Sequence, residues 1–259
     1  MPCNVCSAPV SSLWRAKVLG KYDVEYFRCG RCGFIQTEAP YWLSESYADA
    51  ITATDLGLVG RNYYYSVVTR AILTCLFNAD GRFVDYGGGY GIFVRLMRDA
   101  GFDFYWMDRY CENLFARGFR AEAGGGEYEL LTAWEVFEHM LDPLREVAEM
   151  AALSDNILFS TELIPAGEAE LKSWWYFCTE HGQHISFYSA ETLSFIAGRF
   201  GMRVVSLGPS LHLFSRRSIS GPLFRFIAHP RIAPLINLLR RRPTLLESDY
   251  QAAKKNIGA

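Results

Sequence analysis

Four cysteines stand as two pairs, Cys3-x-x-Cys6 and Cys29-x-x-Cys32, with 22 residues between the pairs. A C-x-x-C unit turns tightly enough to aim two thiolates at one ion, and four thiolates suit tetrahedral zinc. Gly30 and Gly33 fit the turn of the second pair. Such a centre has no open position, so its expected work is to hold together a segment with no core of its own. A second chemical stretch is Asp85 to Gly91, D-x-G-x-G-x-G, which closes a short apolar strand. Glycines there let the backbone lie against a ligand, at the strand end where open α/β sheets bind nucleotides. A dinucleotide G-x-G-x-x-G is excluded, because the third glycine would fall on Ile92 or Val94. Asp108, 17 residues past Gly91, can accept from both hydroxyls of a ribose. A third stretch, Trp174 to Ser189, gathers Glu180, His181 and His184 among aromatics, with Gly182 interrupting any helix. That composition suits a loop over the sheet's carboxyl end, able to shape a substrate pocket.

The elements that must position these groups follow from pattern. Trp14–Leu19 and Val24–Arg28 read as two strands of a zinc ribbon around Gly20-Lys21. Tyr41–Ala50 and Arg61–Phe77 read as helices. A strand from Phe83, a helix from Ile92 to Ala100 stopped by Gly101, and a strand Phe104–Met107 make a β-α-β half-unit. Cys111–Arg117 is expected as a helix, Gly118–Ala121 as a third strand edge and Gly124–Gly126 as a surface turn. Glu129–Phe137 and Asn156–Glu162 read as the fourth and fifth strands, separated by a helix that opens with Asp142-Pro143. Ser189 caps a helix to Phe200, and Met202–Leu207 and Leu211–Ser215 give the last two strands.

The glycine motif with Asp108 resembles motif I and the acidic ribose motif of class I S-adenosylmethionine (SAM) methyltransferases. The resemblance implies an α/β, Rossmann-like, seven-stranded class I methyltransferase sheet, here carrying an N-terminal zinc ribbon. It implies cofactor contacts from Asp85, Gly87, Gly89, Gly91 and Asp108. The string AWEVFEHMLDP resembles the motif IV region of that superfamily, which implies Trp134 and Glu135 near the sulfonium end. Arg61 is the expected partner of the methionine carboxylate, and Tyr47 is a second candidate from the same mouth. The string His184-Ile-Ser-Phe-Tyr-Ser is similar to one in zinc-bearing sugar C-methyltransferases, which also begin with four cysteines. That similarity implies His184 as the base, supported by Glu180 or His181; a histidine held by backbone carbonyls is the other reading. The long C-terminal domain of those relatives has no counterpart in the 45 or so residues after the last strand. Methylation of oxygen or of carbon on a sugar, nucleotide-sugar or glycan therefore both stand.

Composition sets limits. Half of the 259 residues are hydrophobic, so a large core is expected rather than disorder. Net charge is −2, yet Ser215–Ala259 holds nine Lys/Arg against two Asp/Glu, leaving an acidic body that disfavours a nucleic-acid partner. Reading the zinc ribbon as a nucleic-acid or protein substrate reader is the rival enzyme hypothesis, and a non-catalytic zinc/Rossmann scaffold is the rival outside enzymes. Three segments result: 1–40 zinc ribbon, 41–215 SAM-binding domain and 216–259 basic amphipathic tail. The tail suits either helices packed on the body or peripheral contact with an anionic membrane face. No apolar run approaches the ~18 residues of a membrane span and no signal-peptide pattern opens the chain, so a cytoplasmic address is expected.

Overall fold

The computed structural model describes residues 1–48, 55–122 and 127–257. In chain order the strands are β1 (Val10–Val18), β2 (Tyr22–Cys29), β3 (Ile35–Thr37), β4 (Arg82–Tyr86), β5 (Asp103–Met107), β6 (Leu130–Ala133), β7 (Asn156–Ser160), β8 (Ser186–Phe187), β9 (Arg203–Leu207) and β10 (Leu211–Ser215). The helices are α1 (Leu43–Ser46), α2 (Leu58–Leu76), α3 (Ile92–Asp99), α4 (Pro143–Ala151), α5 (Glu168–Lys172), α6 (Ala190–Arg199), α7 (Gly221–Ile227), α8 (Ala233–Leu239) and α9 (Leu246–Ile257).

Six strands form the main sheet in the order β5-β4-β6-β7-β10-β9. β4 pairs in parallel with β5 and β6, β6 with β7, and β10 runs antiparallel to both neighbours. Alternation along each strand explains the three layers. Phe83, Leu130, Leu158 and Leu213 face α2, α3 and α7, whereas Val84, Leu131, Ile157 and Phe214 face α4, α6 and the N-terminal cysteines. With both faces covered, β7 is buried at every position, as near-continuous hydrophobic strands of parallel sheets are.

The seventh strand is reduced to one parallel bridge, Trp106 with Arg120. Two backbone bonds hold it, Trp106 N to Phe119 O at 2.7 Å and Ala121 N to Trp106 O at 2.8 Å. The helix expected over Cys111–Arg117 is absent. Asn113 closes on Ala116 instead, Oδ1 accepting from N and Nδ2 donating to O, both at 2.8 Å, and such local bonds compete with helix formation. The expected fourth strand ends at Ala133 because Glu135 adopts φ +54. The turn expected at Gly124–Gly126 and the end of the Tyr41–Ala50 helix lie outside the described residues.

β1, β2 and β3 form an antiparallel sheet whose fourth strand, β8, comes from the middle of the chain: Ile35 pairs with Phe187 and Gln36 with Ser186. The N-terminal segment is thus built into the body, and Cys29, Cys32 and Phe34 share a core with β4 and α6. In the tail, α7 and α8 bury Phe224, Ile227 and Ala233. α9 is anchored by Arg98, whose Nε and Nη2 each donate to Asp249 at 2.8 Å with both side chains 6% exposed. Leu223, Phe226, Leu235, Leu238 and Leu239 remain exposed. No helix among the described residues is long and apolar enough to cross a membrane.

Candidate active site and cysteine centre

The carboxyl ends of β4, β5, β6 and β7 converge on one mouth, and the glycine turn forms its floor. Gly87, Gly89 and Gly91 have φ of +70, +51 and +85, a region other residues enter only at a cost. A Cβ on Gly87 would stand 2.7 Å from Val136 Cγ2, and one on Gly88 would stand 2.8 Å from Trp106 Cδ1. The turn is tied to β5 through Gly87 N and Gly88 N, which donate to Met107 O. Asp108 completes it: Oδ2 accepts from Gly89 N at 2.9 Å, and Oδ1 from Tyr110 N and Cys111 N at 2.7 and 2.8 Å. Asp85 is buried below, Oδ1 accepting from Thr132 Oγ1 at 2.6 Å. Burial raises its carboxyl to about 8, the Thr132 bond opposing and the Asp108 charge adding.

The wall beyond β6 is polar and charged. Trp134 stacks on Tyr65 at 4.1 Å and 5°, and its indole N–H has no partner among the described residues. Glu135 Oε1 accepts from Ser160 Oγ at 2.6 Å and Tyr65 OH at 3.0 Å, while Oε2 lies 3.7 Å from Arg61 Nε. Arg61 is also bonded to both oxygens of Asp55 at 2.8 Å. The guanidinium expected to meet the methionine carboxylate of SAM is therefore already engaged by two acidic side chains. An orphaned indole donor and a cradle that a Cβ would fill both fit an adenosyl cofactor lying across these strand ends.

Behind this wall lies a polar cluster that no local pattern announces. Glu138 is fully buried, and neither carboxylate oxygen has a hydrogen-bond partner among the described residues, although the Tyr176 hydroxyl faces it. Burial, then the charge of Glu135, pushes its carboxyl well above the ordinary range. His184 is buried beside it, with Nδ1 2.7 Å from Tyr176 O. A carbonyl only accepts, so Nδ1 carries the proton and Nε2 keeps its lone pair. Burial, then nearby His139, holds His184 well below its usual value. His139 Nδ1 lies 2.9 Å from Tyr47 OH, and burial lowers this imidazole to about 4. His181 packs its ring 5.0 Å from that of His184, with Nδ1 accepting from Gln183 N at 3.2 Å. Glu180, expected as a supporting acid, is exposed. The turn through Cys178 at φ +44 and Gly182 at φ +66 leaves it outside, and the carboxyl beside His184 is Glu138. Sequence reasoning passed over Glu138, Tyr65, Ser160 and Tyr176. Two glutamates and a histidine at a strand end, Glu135, Glu138 and His139, were the one available signal.

The four N-terminal cysteines do converge, with all sulfurs within 4.8 Å of one another. Sγ–Sγ separations are 3.7 Å for Cys3–Cys32 and 3.4 Å for Cys6–Cys29. Sulfurs ~2.3 Å from a tetrahedral zinc lie ~3.8 Å apart, so the quartet is shaped for such an ion. Val5 N and Arg31 N each donate to a cysteine sulfur at 3.4 Å. The second knuckle is fixed to α6 as well, because Cys32 O accepts from Thr192 Oγ1 at 2.7 Å and Ser189 Oγ at 3.0 Å.

A family model described as a methyltransferase domain matches residues 61–207. No curated protein matches the chain. Similar solved structures include the SAH-bound methyltransferase of calicheamicin biosynthesis, at 16% identity over 67% of this chain and 61% of that one, with a TM-score of 0.44. The SAH-bound magnesium protoporphyrin IX methyltransferase of Synechocystis PCC 6803 is 17% identical over 66% of this chain and 90% of that one, TM-score 0.46. An O-methyltransferase family protein of Burkholderia thailandensis is 14% identical over 70% of this chain and 64% of that one, TM-score 0.48. The chain thus spans less than two thirds of the first and third of these.

Proposed function

The chain belongs to the methyltransferase-domain family, and from that premise we propose that it transfers the methyl group of SAM to a small polyhydroxylated acceptor of the sugar or glycan-precursor class. One observation carries the reading: the glycine turn with Asp108 and the buried Glu138–His184 cluster lie on either side of the same strand ends, joined through the contact of Gly87 with Val136. SAM lies over Gly87–Gly91 with its ribose on Asp108, and its sulfonium towards Trp134 and Glu135. The carboxylate of Glu135, fixed by Tyr65 and Ser160, suits a cofactor bearing a sulfonium and an ammonium. Methyl transfer is an in-line displacement at carbon, so alignment and exclusion of water carry most of the acceleration. The acceptor loses its proton at the His184 side of the mouth, where His184 and Glu138 are buried side by side. The thiolate quartet takes zinc and keeps β3 paired with β8, which holds His184 in place.

Two variants test the proposal. Wild type is expected to bind SAM and S-adenosylhomocysteine with micromolar affinity in calorimetry, and Asp108→Ala to lose at least about tenfold, the ribose bonds being charge-assisted. His184→Ala should keep cofactor affinity while turnover on the correct acceptor falls about 100-fold or more. Folded wild-type protein that binds neither adenosyl ligand would sink the reading.

A further inference from the structure

Two of the five histidines and a carboxyl without a hydrogen-bond partner among the described residues meet in the interior, apart from the cysteine quartet. Ligand-capable atoms of Glu138, His139 and His184 all lie within 4.8 Å of one another. We infer that these three side chains form a second metal site, for a divalent first-row ion, with its open face towards the acceptor.

Four features carry this. First, Glu138 is fully buried with neither oxygen hydrogen-bonded among the described residues. Burying a carboxyl without bonds is costly, and an ion is the partner that satisfies both oxygens at once. Second, the Tyr176 carbonyl holds Nδ1 of His184, which fixes the ring and leaves Nε2 as the donor; ligating histidines are oriented in this way. Third, the rings of His139 and His184 meet at 5.0 Å and 87°. The His139 ring is flanked by Tyr47 OH and the Gln183 carbonyl, and ligation exchanges one of these contacts for the ion. Fourth, the two ligand segments are stapled together. Ile185 N donates to Glu138 O at 2.9 Å, Ser186 Oγ to Met140 O at 2.6 Å and Tyr188 OH to Phe137 O at 2.8 Å. A site so tied is preorganised.

Two imidazoles and a carboxylate select an ion of the manganese-to-zinc series over calcium, and leave positions open for substrate oxygen. Cys178, His181 and His184 form a second convergent trio. There the Cys178 thiol bonds Trp175 O and His181 Nδ1 is held by Gln183 N, so the unsatisfied group lies on the Glu138 side.

The inference rests on the methyl-transfer reading for its chemical consequence and deepens it. With the ion bound, Nε2 of His184 is a ligand, and a hydroxyl coordinated at the open face is acidified by the metal. Its proton passes to solvent, its oxygen forms the new bond to the methyl carbon, and the S–CH3 bond breaks with the electron pair remaining on sulfur. Oxygen rather than carbon is then methylated, and two adjacent hydroxyls that chelate the ion make the best acceptor.

Metal stoichiometry tests the site without any acceptor. Protein with its cysteine centre filled by zinc is titrated with Mn²⁺ and Co²⁺ alone, following heat, bound-metal ratio and the cobalt d–d spectrum. One further equivalent is expected in wild type, with a cobalt spectrum lacking thiolate charge transfer. Glu138→Gln and His184→Asn should each weaken it about 100-fold, the loss seen when a metal's immediate surroundings are altered, while Cys178→Ser leaves it unchanged. Each variant's circular dichroism and SAM titration verify that it is folded. Binding that is absent in folded wild type, or unchanged in Glu138→Gln, overturns the site; loss in Cys178→Ser moves it to the other trio and equally overturns the stated ligands. A second equivalent in protein that binds no SAM would leave the ion standing and remove methyl transfer, so the two failures are distinct.

Discussion

The cysteine quartet and the Glu138–His139–His184 cluster are both convergences of metal-ligating side chains, and they differ in almost every other respect. The quartet offers four sulfurs at tetrahedral spacing, fixed by N–H···S bonds and by Thr192 and Ser189 on α6. Its four ligand atoms are all sulfur, the set that suits a closed tetrahedral ion. The cluster offers nitrogen and oxygen, begins two residues after Val136, which meets the glycine turn, and has carboxylate oxygens with no hydrogen-bond partner among the described residues. On the readings proposed above, the first would hold a fold together and the second would keep a position free for chemistry. The contrast also teaches that they are mechanically linked, since β3 follows the second cysteine pair and pairs with β8, two residues after His184.

The largest effect should come from breaking the quartet. Structural zinc in small modules is worth ~10–16 kcal/mol, more than the ~5–15 kcal/mol that keeps a domain folded. Cys29→Ser or Cys32→Ser is expected to lose zinc and cooperative folding together, seen as loss of the thermal transition and of bound metal. A zinc-free variant that still melts sharply and binds SAM would dissolve the structural half of the comparison.

Next in size is a contrast between two buried carboxyls. Asp85 has the Thr132 bond and Glu138 has none. Asp85 is raised from the ordinary 3.8 to about 8, chiefly by burial. A raised carboxyl favours the folded state while protonated, so this contribution is full below the unfolded value and is lost as pH climbs through about 8. The shift corresponds to on the order of 5 kcal/mol as an upper figure. Asp85→Asn keeps the shape and cannot ionise. Its denaturation midpoint should therefore fall less between pH 6 and pH 9 than that of wild type. Parallel slopes would mean that Asp85 is ionised and compensated in the folded protein.

What the sequence made legible was local. The two C-x-x-C units, D-x-G-x-G-x-G and the strand ending in Asp108 are each written within a few residues, and each lies where its spacing put it. The third strand edge lies where Gly118–Ala121 put it, as a single bridge at Arg120, but the helix before it was not legible. Asn113 turned the chain with its own side chain, an outcome that helical spacing of apolar residues does not reveal. The chemical cluster was half legible. His184 stood out by its neighbours in sequence, but its carboxyl partner is 46 positions earlier, and the bonds from Ile185, Ser186 and Tyr188 to Glu138, Met140 and Phe137 bring the two segments together. Glu180 is the nearer carboxylate in sequence but is exposed, lying between Cys178 at φ +44 and Gly182 at φ +66.

The smallest expected effect sharpens the reading of His184 by supplying a reference. His212 is also fully buried, yet both its nitrogens are partnered: Nδ1 accepts from Ser206 Oγ at 2.8 Å, and Nε2 donates towards Thr161 O and Pro209 O at 3.1 Å. This is what a histidine ordered by backbone carbonyls looks like, and it offers no free lone pair. Burial lowers it from 6.5 to about 4. A depressed histidine favours folding while neutral, so its contribution is full above the unfolded value and is lost as pH falls from 6.5 towards 4. The loss amounts to about 3 kcal/mol. His139 and His184 act in the same direction, so the measurement is a difference of slopes. Urea midpoints at pH 7 and pH 4.5 should converge more in His212→Gln than in wild type, although the variant is less stable at pH 7. Equal slopes would show that His212 accepts its proton without penalty in the fold, and a fully partnered buried histidine would no longer be the standard against which the free Nε2 of His184 is judged.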